Sequence, residues 1–562
     1  MAAKPITPDE VQVQTDFSGG IVRDSMRHVI PVNGVYDSVD FMLDQPGRAY
    51  KRGGYVNHSA ALPAAPSMVG TIHIPTRVVA ISNNDLYDVT SENSPQAILT
   101  GSVGFSPGEN PTNVVGRLIL CDPLSNNAPK KVYTTGPTGV VTLALLGGTP
   151  PHAAHSAAYA GRIVLARGPD PTPNTGDLNR IWFSEYPDDE ATWDTTTKWI
   201  DATYEVTGLA VVQGVLLIFS PRFTERIVGG IPPGVEGEDM SLQPVGGVGC
   251  LDARSIVSLD NQVIFGSEEG IFTTNGVGFD NLMEKTDRSG ILSYWRSLFV
   301  EHEVRGVACG MLNRDLLYVS SSSTGGQPDV NLVCYLPTRS WWQLSNTTAS
   351  SFAAGATEQE TTELYAAMAH SSYVGKFSPM LKPVWSNRQD GNGVPVQPML
   401  ETRPFGSGSG LKAYGFSRLT YDLSVPSEGS WLPSYAHGLN DLISENKVIW
   451  RAQVAGTSGT VEPSWKSKPN LGDTLTDGGI TWINEGPRLS VSQAVGIEAE
   501  SYTPTYESPL PTTDRADRAR FRLFKDAQML QLRFAQQGGS EQTELFLVEV
   551  EHRPYPLAAD GE

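Results

Sequence analysis

The residues able to do acid–base or metal chemistry are scattered along this chain of 562 residues. Its nine histidines form no close cluster, and His152 and His155 lie in an alanine-rich stretch that we interpret as a solvated loop. Glu301-His302-Glu303 lacks the H-E-x-x-H spacing that puts two histidines on one helix face. No P-loop or strand-anchored G-x-G-x-x-G is present. The sequence therefore predicts no catalytic residue, no metal site and no cofactor.

Two further stretches come close to catalytic motifs without completing them. Gly406-Ser407-Gly408-Ser409-Gly410 has glycine where G-x-S-x-G needs its serine nucleophile, so we interpret it as a flexible loop or hinge. Asp477-Gly478-Gly479-Ile480-Thr481-Trp482 fits the tail of the Asp-box hairpin of sialidase propellers, but Leu475 replaces the expected serine and the box occurs once. We interpret it as a tight turn between two strands.

The cysteines indicate neither a metal site nor a disulfide framework. Cys121, Cys250, Cys309 and Cys334 lie far apart, with no C-x-x-C pair, each in or beside a strand-like stretch. Secreted disulfide-rich chains and zinc modules show regular, close cysteine spacings. We therefore predict four small buried thiols in a reducing compartment.

Charge restricts the partners that this chain can bind tightly. Lys and Arg number 41 against 61 Asp and Glu, which gives a formal net charge of -20. Tight binding to duplex DNA relies on Lys and Arg displacing counterions from phosphates, so an acidic chain is a poor duplex binder. A surface that DNA slides past without adhering stays compatible with this charge. No apolar run reaches 18 residues, and residues 1–10 lack a signal-peptide core, so neither a membrane helix nor an export signal is expected.

A recurring hairpin dominates the first two thirds of the chain. Residues 209–212 turn at Gln213-Gly214 into 215–219, and 256–259 turn at Asp260-Asn261 into 263–266. Short apolar runs bounded by Gly, Asn or Asp turns are typical of antiparallel strands. Units of this kind recur every ~45–55 residues, within the range of four-stranded propeller blades. The pattern predicts an all-β fold with a β-propeller of about six blades; a series of β-sandwiches is the alternative.

The character of the sequence changes after about residue 385, where alternating strands surround an island with its own turns and tryptophans. We predict an added β-platform domain, split by a small inserted β-module, since loops accept insertions most easily. The predicted organisation has an N-terminal arm with the first strands (1–60), the propeller (61–400), the platform (401–430 and 488–562) and the module (431–487).

The island resembles a small β-module that recurs in phage tail and receptor-binding proteins. The resemblance rests on 448–452, 456–460, Glu462-Pro463-Ser464-Trp465 and the 476–482 turn. It implies suspected glycan binding, in which Trp450, Trp465 and Trp482 would stack on sugar rings. Tryptophans also supply the core that so small a module needs. The sequence therefore leaves both roles open for these three residues.

A wider resemblance covers most of the chain in patches. Phe17-Ser18-Gly19-Gly20, a short strand at 35–43, and Gly47 followed by Arg52-Gly53 are similar to the start of phage tail nozzle and packaged-DNA stabilisation proteins. Later pieces agree in order: 180–184, Trp193, 208–209, 218–219, 227–230, 270–272 and 546–554. The proline often expected before Gly53 is replaced here by Arg52.

This resemblance implies a structural protein of the phage tail rather than an enzyme. Its relatives are propellers with a β-platform that assemble as a ring, commonly six-fold, below the portal and adaptor; the ring holds packaged DNA and opens for ejection. The implied partners are other copies of the chain, adaptor or portal-side proteins, tail fibre proteins, DNA passing through the channel and a host surface glycan. The implied location is the virion, after assembly in the host cytoplasm. A carbohydrate-binding or carbohydrate-active propeller, and a tail-fibre or baseplate scaffold, are the alternatives.

Overall fold

The structure, a computed structural model, describes the chain from residue 10 to residue 552 with gaps. The gaps are residues 15, 24–29, 45–48, 53, 74–75, 92–95, 100–110, 115, 122–127, 136–138, 167–177, 186–191, 260, 286–289, 299–304, 323–326, 356–362, 378–388, 391–393, 397, 404–412, 423–430, 440–441, 446–447, 469–471, 487–488, 496–502, 509–516, 528–529 and 536–543. The described residues contain many strands and a single α-helix, α1 (Leu292–Leu298). In this part of the chain no helix is long and apolar enough to span a membrane.

Six strands precede the first large sheet: β1 (Glu10–Gln14), β2 (Gly20–Ile21), β3 (Gly34–Val39), β4 (Phe41–Met42), β5 (Ala49–Lys51) and β6 (Val56–Asn57). Seven four-stranded antiparallel units follow, which we call blades one to seven. Blade one has β7 (Met68–His73), β8 (Thr76–Ser82), β9 (Asp85–Asp88) and β10 (Gln96–Leu99). Blade two has β11 (Thr112–Val114), β12 (Arg117–Leu120), β13 (Lys130–Thr135) and β14 (Val140–Leu145). Blade three has β15 (His155–Tyr159), β16 (Arg162–Ala166), β17 (Arg180–Phe183) and β18 (Trp199–Asp201).

The remaining blades follow the same pattern. Blade four has β19 (Gly208–Val212), β20 (Val215–Phe219), β21 (Thr224–Val228) and β22 (Ser241–Gly246). Blade five has β23 (Val257–Leu259), β24 (Gln262–Ser267), β25 (Gly270–Thr274) and β26 (Phe279–Asn281). Blade six has β27 (Arg305–Leu312), β28 (Leu316–Ser322), β29 (Val330–Tyr335) and β30 (Ser340–Gln343). Blade seven has β31 (Ala349–Gly355), β32 (Glu363–Met368), β33 (Val374–Phe377) and, from the N-terminal segment, β6.

The seven blades close into a ring, which makes this part of the chain a β-propeller. The first strand of each blade contacts the first strand of the next, and β31 of blade seven returns to β7 of blade one. The closure is reinforced by β6, which pairs with β33 through Val56↔Lys376 and Asn57↔Gly375. Blade seven is therefore built from both ends of the propeller sequence, so opening the propeller between its blades one and seven requires breaking the sheet of blade seven.

The expected number of six blades is wrong, because blade two was not recognised in the sequence. Its outer strands β13 and β14 are half-exposed over most of their length and include Lys130, Lys131 and several threonines. Lys130 and Lys131 interrupt the apolar pattern of β13, so this blade does not show the apolar strand–turn–strand unit that marks the other blades. The predicted all-β class and the propeller itself are confirmed.

The hairpins close through turns that the sequence predicts. Gln213 and Gly214, between β19 and β20, have φ values of 49° and 77°, as a two-residue type I′ turn requires. Asn83 and Asn84 do the same between β8 and β9, with φ of 50° and 66°. Asparagine and glycine adopt this left-handed backbone more readily than other residues do.

The hydrophobic core is divided among the interfaces between neighbouring blades. Phe183 of blade three and Ile218 of blade four belong to one buried cluster, and Phe219 of blade four packs with Phe265 of blade five, at 4.7 Å between ring centroids. The largest cluster lies around blade six and includes Trp295 of α1, as well as Trp341 and Trp342 of β30. Strands buried on both faces, as here, read as continuous apolar runs.

The platform adds two sheets beside blade six. After the propeller come β34 (Gln389–Asp390), β35 (Val394–Pro395), β36 (Met399–Thr402) and β37 (Ala413–Asp422), and the end of the chain supplies β44 (Leu489–Val495), β45 (Thr503–Ser508), β46 (Asp517–Ala527), β47 (Leu530–Ala535) and β48 (Glu544–His552). One platform sheet runs β3-β36-β47-β44-β45 and joins β30, so that blade six continues into it. The other runs β4-β5-β48-β37-β46, with β1 also paired to β48. Strands from the predicted arm, 1–60, are thus shared between both platform sheets.

The inserted module has its own sheets. Its strands are β38 (Ala436–His437), β39 (Leu442–Glu445), β40 (Val448–Val454), β41 (Gly456–Thr457), β42 (Thr474–Asp477) and β43 (Ile480–Gly486). They form a four-stranded sheet, β39-β40-β43-β42, and a two-stranded ribbon, β38-β41. Both sheets consist of module strands alone among the described residues. The fold is therefore a propeller with a platform and a small inserted β-module; the exact domain limits stay a prediction.

Candidate functional site

The N-terminal motif lies at the place where the platform meets blade six, which we call the junction. Phe17 is fully buried, and the hydroxyl of Ser340 in β30 donates a hydrogen bond to the carbonyl oxygen of Ser18. Gly20 has φ of 72°, and a Cβ there would lie 2.6 Å from the backbone nitrogen of Trp341. Only glycine fits so close an approach in a left-handed conformation. The motif thus packs directly against β30, the outer strand of blade six.

A buried ion pair forms the centre of the junction. Asp40, the single residue between β3 and β4, has φ of 59° and turns the chain from one platform sheet into the other. Its Oδ1 lies 2.5 Å from Nε of Arg52, and their side chains are 0% and 3% exposed. Asp40 Oδ1 also accepts a hydrogen bond from the Ser345 amide at 2.9 Å, and an Arg52 nitrogen donates to the Ser345 carbonyl at 2.9 Å. These contacts bind three segments together: the β3–β4 corner, the residue after β5, and the chain leaving blade six.

This geometry explains why arginine replaces the expected proline before Gly53. The backbone amide of Arg52 donates to the carbonyl oxygen of Asp40 at 2.9 Å, a bond that proline, without an N–H, could not make. The guanidinium fork then satisfies a carboxylate that would otherwise be buried without a counter-charge. Arg52, which departs from the expected pattern, is therefore paired with an acidic residue, Asp40.

A second charged cluster lies further along the same sheet. Asp37 of β3 and Glu401 of β36 are paired across the strands, which places two carboxylates side by side. Arg23 lies 3.0 Å from Asp37, and Arg533 lies 2.5 Å from Glu401. Burial raises the pKa of Asp37 above its usual value, while Arg23 opposes that rise. Gln343 of β30 donates to Asp37 at 3.1 Å, so this cluster also connects the platform with blade six.

The three tryptophans of the module are core residues in the structure. Trp450 and Trp482 are 0% exposed and Trp465 is 4% exposed. Their rings pack on one another, at centroid distances of 4.9 Å for Trp450 and Trp465 and 6.1 Å for Trp465 and Trp482. A sugar stacks on an exposed aromatic face, and none of these rings has one. The expected glycan contact through these residues is therefore not available in this geometry, and packing accounts for them.

The Asp-box-like segment is a structural turn of the module. Gly478, with φ of 60°, and Gly479 connect β42 to β43. The Asp477 carboxylate accepts hydrogen bonds from the amide of Gly459 and from the indole of Trp431, both at 2.7 Å. Asp477 thus holds the ribbon against the four-stranded sheet, rather than facing a substrate.

The hub of the propeller contains a cavity of about 650 Å³ between the first strands of blades one, two, five, six and seven. Its wall is apolar at Val69, Leu259 and Phe352 and polar at Asn113, and Arg314 is its charged lining residue. In the part of the chain that the structure describes, no group of three or more His, Cys, Asp or Glu is placed to hold a metal ion. The 301–303 and 406–410 stretches lie outside the described residues.

All four cysteines are buried thiols that form no disulfide, as the sequence predicts. Burial raises the pKa of Cys250 to about 12 and raises that of Cys309 well above its usual value. Because the thiolate is the reactive form, a buried thiol that stays protonated is inert.

We therefore expect almost none of the four thiols to react with a thiol reagent at pH 8 in the native protein. In the protein unfolded by guanidinium, all four cysteines should react. Titration with a chromogenic disulfide reagent measures both. Rapid reaction of one or more thiols in the native protein would contradict the burial of these side chains.

The comparisons with known proteins concern the fold alone. No protein family and no curated protein matches the sequence. Among solved structures, the chain is similar to a streptogramin B lyase (11% identity over 58% of this chain and 97% of the other, TM-score 0.34). It is also similar to BBS1N from a complex with ARL6DN (13% identity over 59% of this chain and 98% of the other, TM-score 0.34). A third similar structure is the PQQ domain of pyranose dehydrogenase from Coprinopsis cinerea (11% identity over 58% of this chain and 95% of the other, TM-score 0.30). At these TM-scores the assignment of the fold rests on the strand pairing described above.

Proposed function

We propose that this chain is a structural subunit of a phage tail, of which six copies form a ring that closes the DNA channel, retains packaged DNA and opens for ejection. The observation that carries the proposal is the position of the residues on which the resemblance to nozzle proteins rests. Phe17 and Gly20 belong to the junction between propeller and platform, and Arg52, where the chain departs from the expected pattern, is paired with Asp40 there. A ring subunit needs this junction to be rigid, because a closed ring fixes the angle between successive contact surfaces.

The electrostatics fit a channel that DNA passes through without adhering. At a net charge of -20 per chain, a ring repels the phosphate backbone and gains little from counterion release. In the proposal the ring retains DNA by steric closure, and adaptor or portal-side proteins hold it from above. Tail fibre proteins and a host surface glycan are the proposed outer partners, and the protein acts in the virion without catalysis.

Binding to free DNA tests this account of the channel. We expect the purified assembly to bind a 30-base-pair duplex no more tightly than the micromolar range at physiological salt, with a shallow salt dependence. Fluorescence anisotropy measures both quantities, and a basic DNA-binding domain serves as the positive control. Sub-micromolar binding would contradict the non-adhesive channel, and turnover of a glycan by the monomeric chain would favour a carbohydrate-active propeller instead.

A further inference from the structure

Two tryptophans that are neighbours in β30 differ in the surroundings of their indole N–H groups. Trp341 is 1% exposed, and its Nε1 donates to the carbonyl oxygen of Leu282 at 3.0 Å. Trp342 is fully buried, but its Nε1 has no hydrogen-bond acceptor among the residues that the structure describes. Leaving a buried donor unsatisfied is costly, so nearly all such groups in native proteins bond either to protein or to an ordered water molecule.

Trp342 lines a small cavity at the junction. Tyr318, Val333 and Trp342 lie opposite one another across β28, β29 and β30, so they share one face of blade six and line one wall. Arg52 lines the cavity from the N-terminal segment, and Phe377 lines it from blade seven. The cavity has a volume of about 30 Å³. A water molecule needs about 10–15 Å³ of such space, so there is room for one or two.

The cavity also offers the polar groups that an ordered water molecule needs. Three of its lining residues, Trp342, Tyr318 and Arg52, carry hydrogen-bonding side chains, and the others are apolar or glycine. Burial raises the pKa of Tyr318 to about 12 and Arg52 opposes this rise, so the hydroxyl keeps its proton and lies within electrostatic range of the guanidinium. A hydroxyl accepts as well as donates, whereas indole and guanidinium groups only donate. About three polar partners are typical of a buried water molecule.

The charge balance favours water over an anion as the occupant. Arg52 is already paired with Asp40, and their side chains are 3% and 0% exposed. No second positively charged residue lines the cavity in the part of the chain that the structure describes. An anion would therefore add a buried charge without its own counter-charge, which is costly. A water molecule is neutral, can accept from the indole and the guanidinium, and can donate to the Tyr318 hydroxyl.

We infer that this cavity is a binding site for one ordered water molecule, held by Trp342, Tyr318 and Arg52. The inference does not depend on the proposed function. The water molecule connects two strands of blade six, β28 and β30, with the Arg52–Asp40 ion pair. Hydrogen bonding between the propeller and the platform therefore continues through it.

A crystal structure of the full-length protein, at a resolution that shows ordered solvent, tests the site directly. We expect one solvent peak at about 2.7–3.2 Å from both Trp342 Nε1 and the Tyr318 hydroxyl oxygen. A map that shows other buried water molecules but no peak in this cavity would overturn the inference. Crystals soaked in bromide separate water from an anion, because an anomalous bromide peak in the cavity would overturn the assignment to water.

Tyr318→Phe tests whether the water molecule holds the junction. This change removes one hydroxyl and keeps the ring, so the water molecule loses one of its three partners. Peptides that span 340–345 should then exchange hydrogen about tenfold faster than in the wild type. Tyr335→Phe is the matched control, because Tyr335 of β29 does not line the cavity, and its exchange should equal that of the wild type. Wild-type exchange in Tyr318→Phe would overturn the role given to this hydroxyl.

Discussion

Replacing Arg52 with alanine should destabilise the junction by about 3–5 kcal/mol, because it leaves the fully buried carboxylate of Asp40 without its counter-charge. The hydrogen bond from Arg52 to the Ser345 carbonyl is lost as well. Hydrogen exchange of peptides that span Ser345 measures the effect locally, since the Ser345 amide is bonded to Asp40. These peptides should lose most of their protection.

An exposed ion pair of the same type provides the control. Arg222 and Glu268 lie 3.3 Å apart with side chains 80% and 47% exposed, so Arg222→Ala should cost about 0–1 kcal/mol. The double variant Asp40→Ala/Arg52→Ala should lose less than the sum of its two single variants, because no unpaired charge remains buried. An Arg52→Ala variant as stable as Arg222→Ala would show that the pair does not hold the junction.

Replacing Trp482 with alanine should destabilise the module by about 3–5 kcal/mol, because it removes a fully buried ring from a very small core. Trp482 packs against Trp465 and against the imidazole of His437, which connects the four-stranded sheet with the ribbon. The expected result is loss of exchange protection across 448–486. The propeller should be unaffected, because the module strands pair only with one another in the described residues.

Tyr435→Ala is the matched control for this prediction. Tyr435 is also an aromatic residue of the module, but it is 52% exposed, so its removal should change stability by no more than about 0.5 kcal/mol. A loss of glycan binding by Trp482→Ala without loss of module structure would contradict the core role given to this residue. Deletion of 431–487 with a short Gly-Ser closure should likewise leave the propeller and the platform folded.

The sequence was sufficient to predict the propeller because the geometry of each hairpin is determined by residues close together in the sequence. Apolar runs separated by turns such as Gln213-Gly214 define strands and registers without knowledge of distant residues. Blade two was missed for the same reason, since β13 begins with Lys130 and Lys131 and both β13 and β14 are half-exposed over most of their length. Local apolar patterns predict buried strands, but they do not identify strands that are largely exposed to solvent.

The junction could not be predicted, because it depends on long-range contacts. Asp40 and Arg52 are 12 residues apart, and Ser345, which binds both, is about 300 residues further along. Nothing in the local sequence indicates that Asp40 adopts φ of 59° or is fully buried. The role of Trp450, Trp465 and Trp482 was open for a related reason, because tryptophan serves both as a core residue and as a sugar platform. Only burial in the folded module separates the two.

The central claim is that six copies of this chain form a ring around the DNA channel of a phage tail. Cryo-electron microscopy of the intact particle tests it most directly, because it gives copy number, position and channel contents together. We expect six copies around the tail axis, with DNA density in the axial channel. A chain present as isolated single copies, or a ring away from the DNA path, would contradict it.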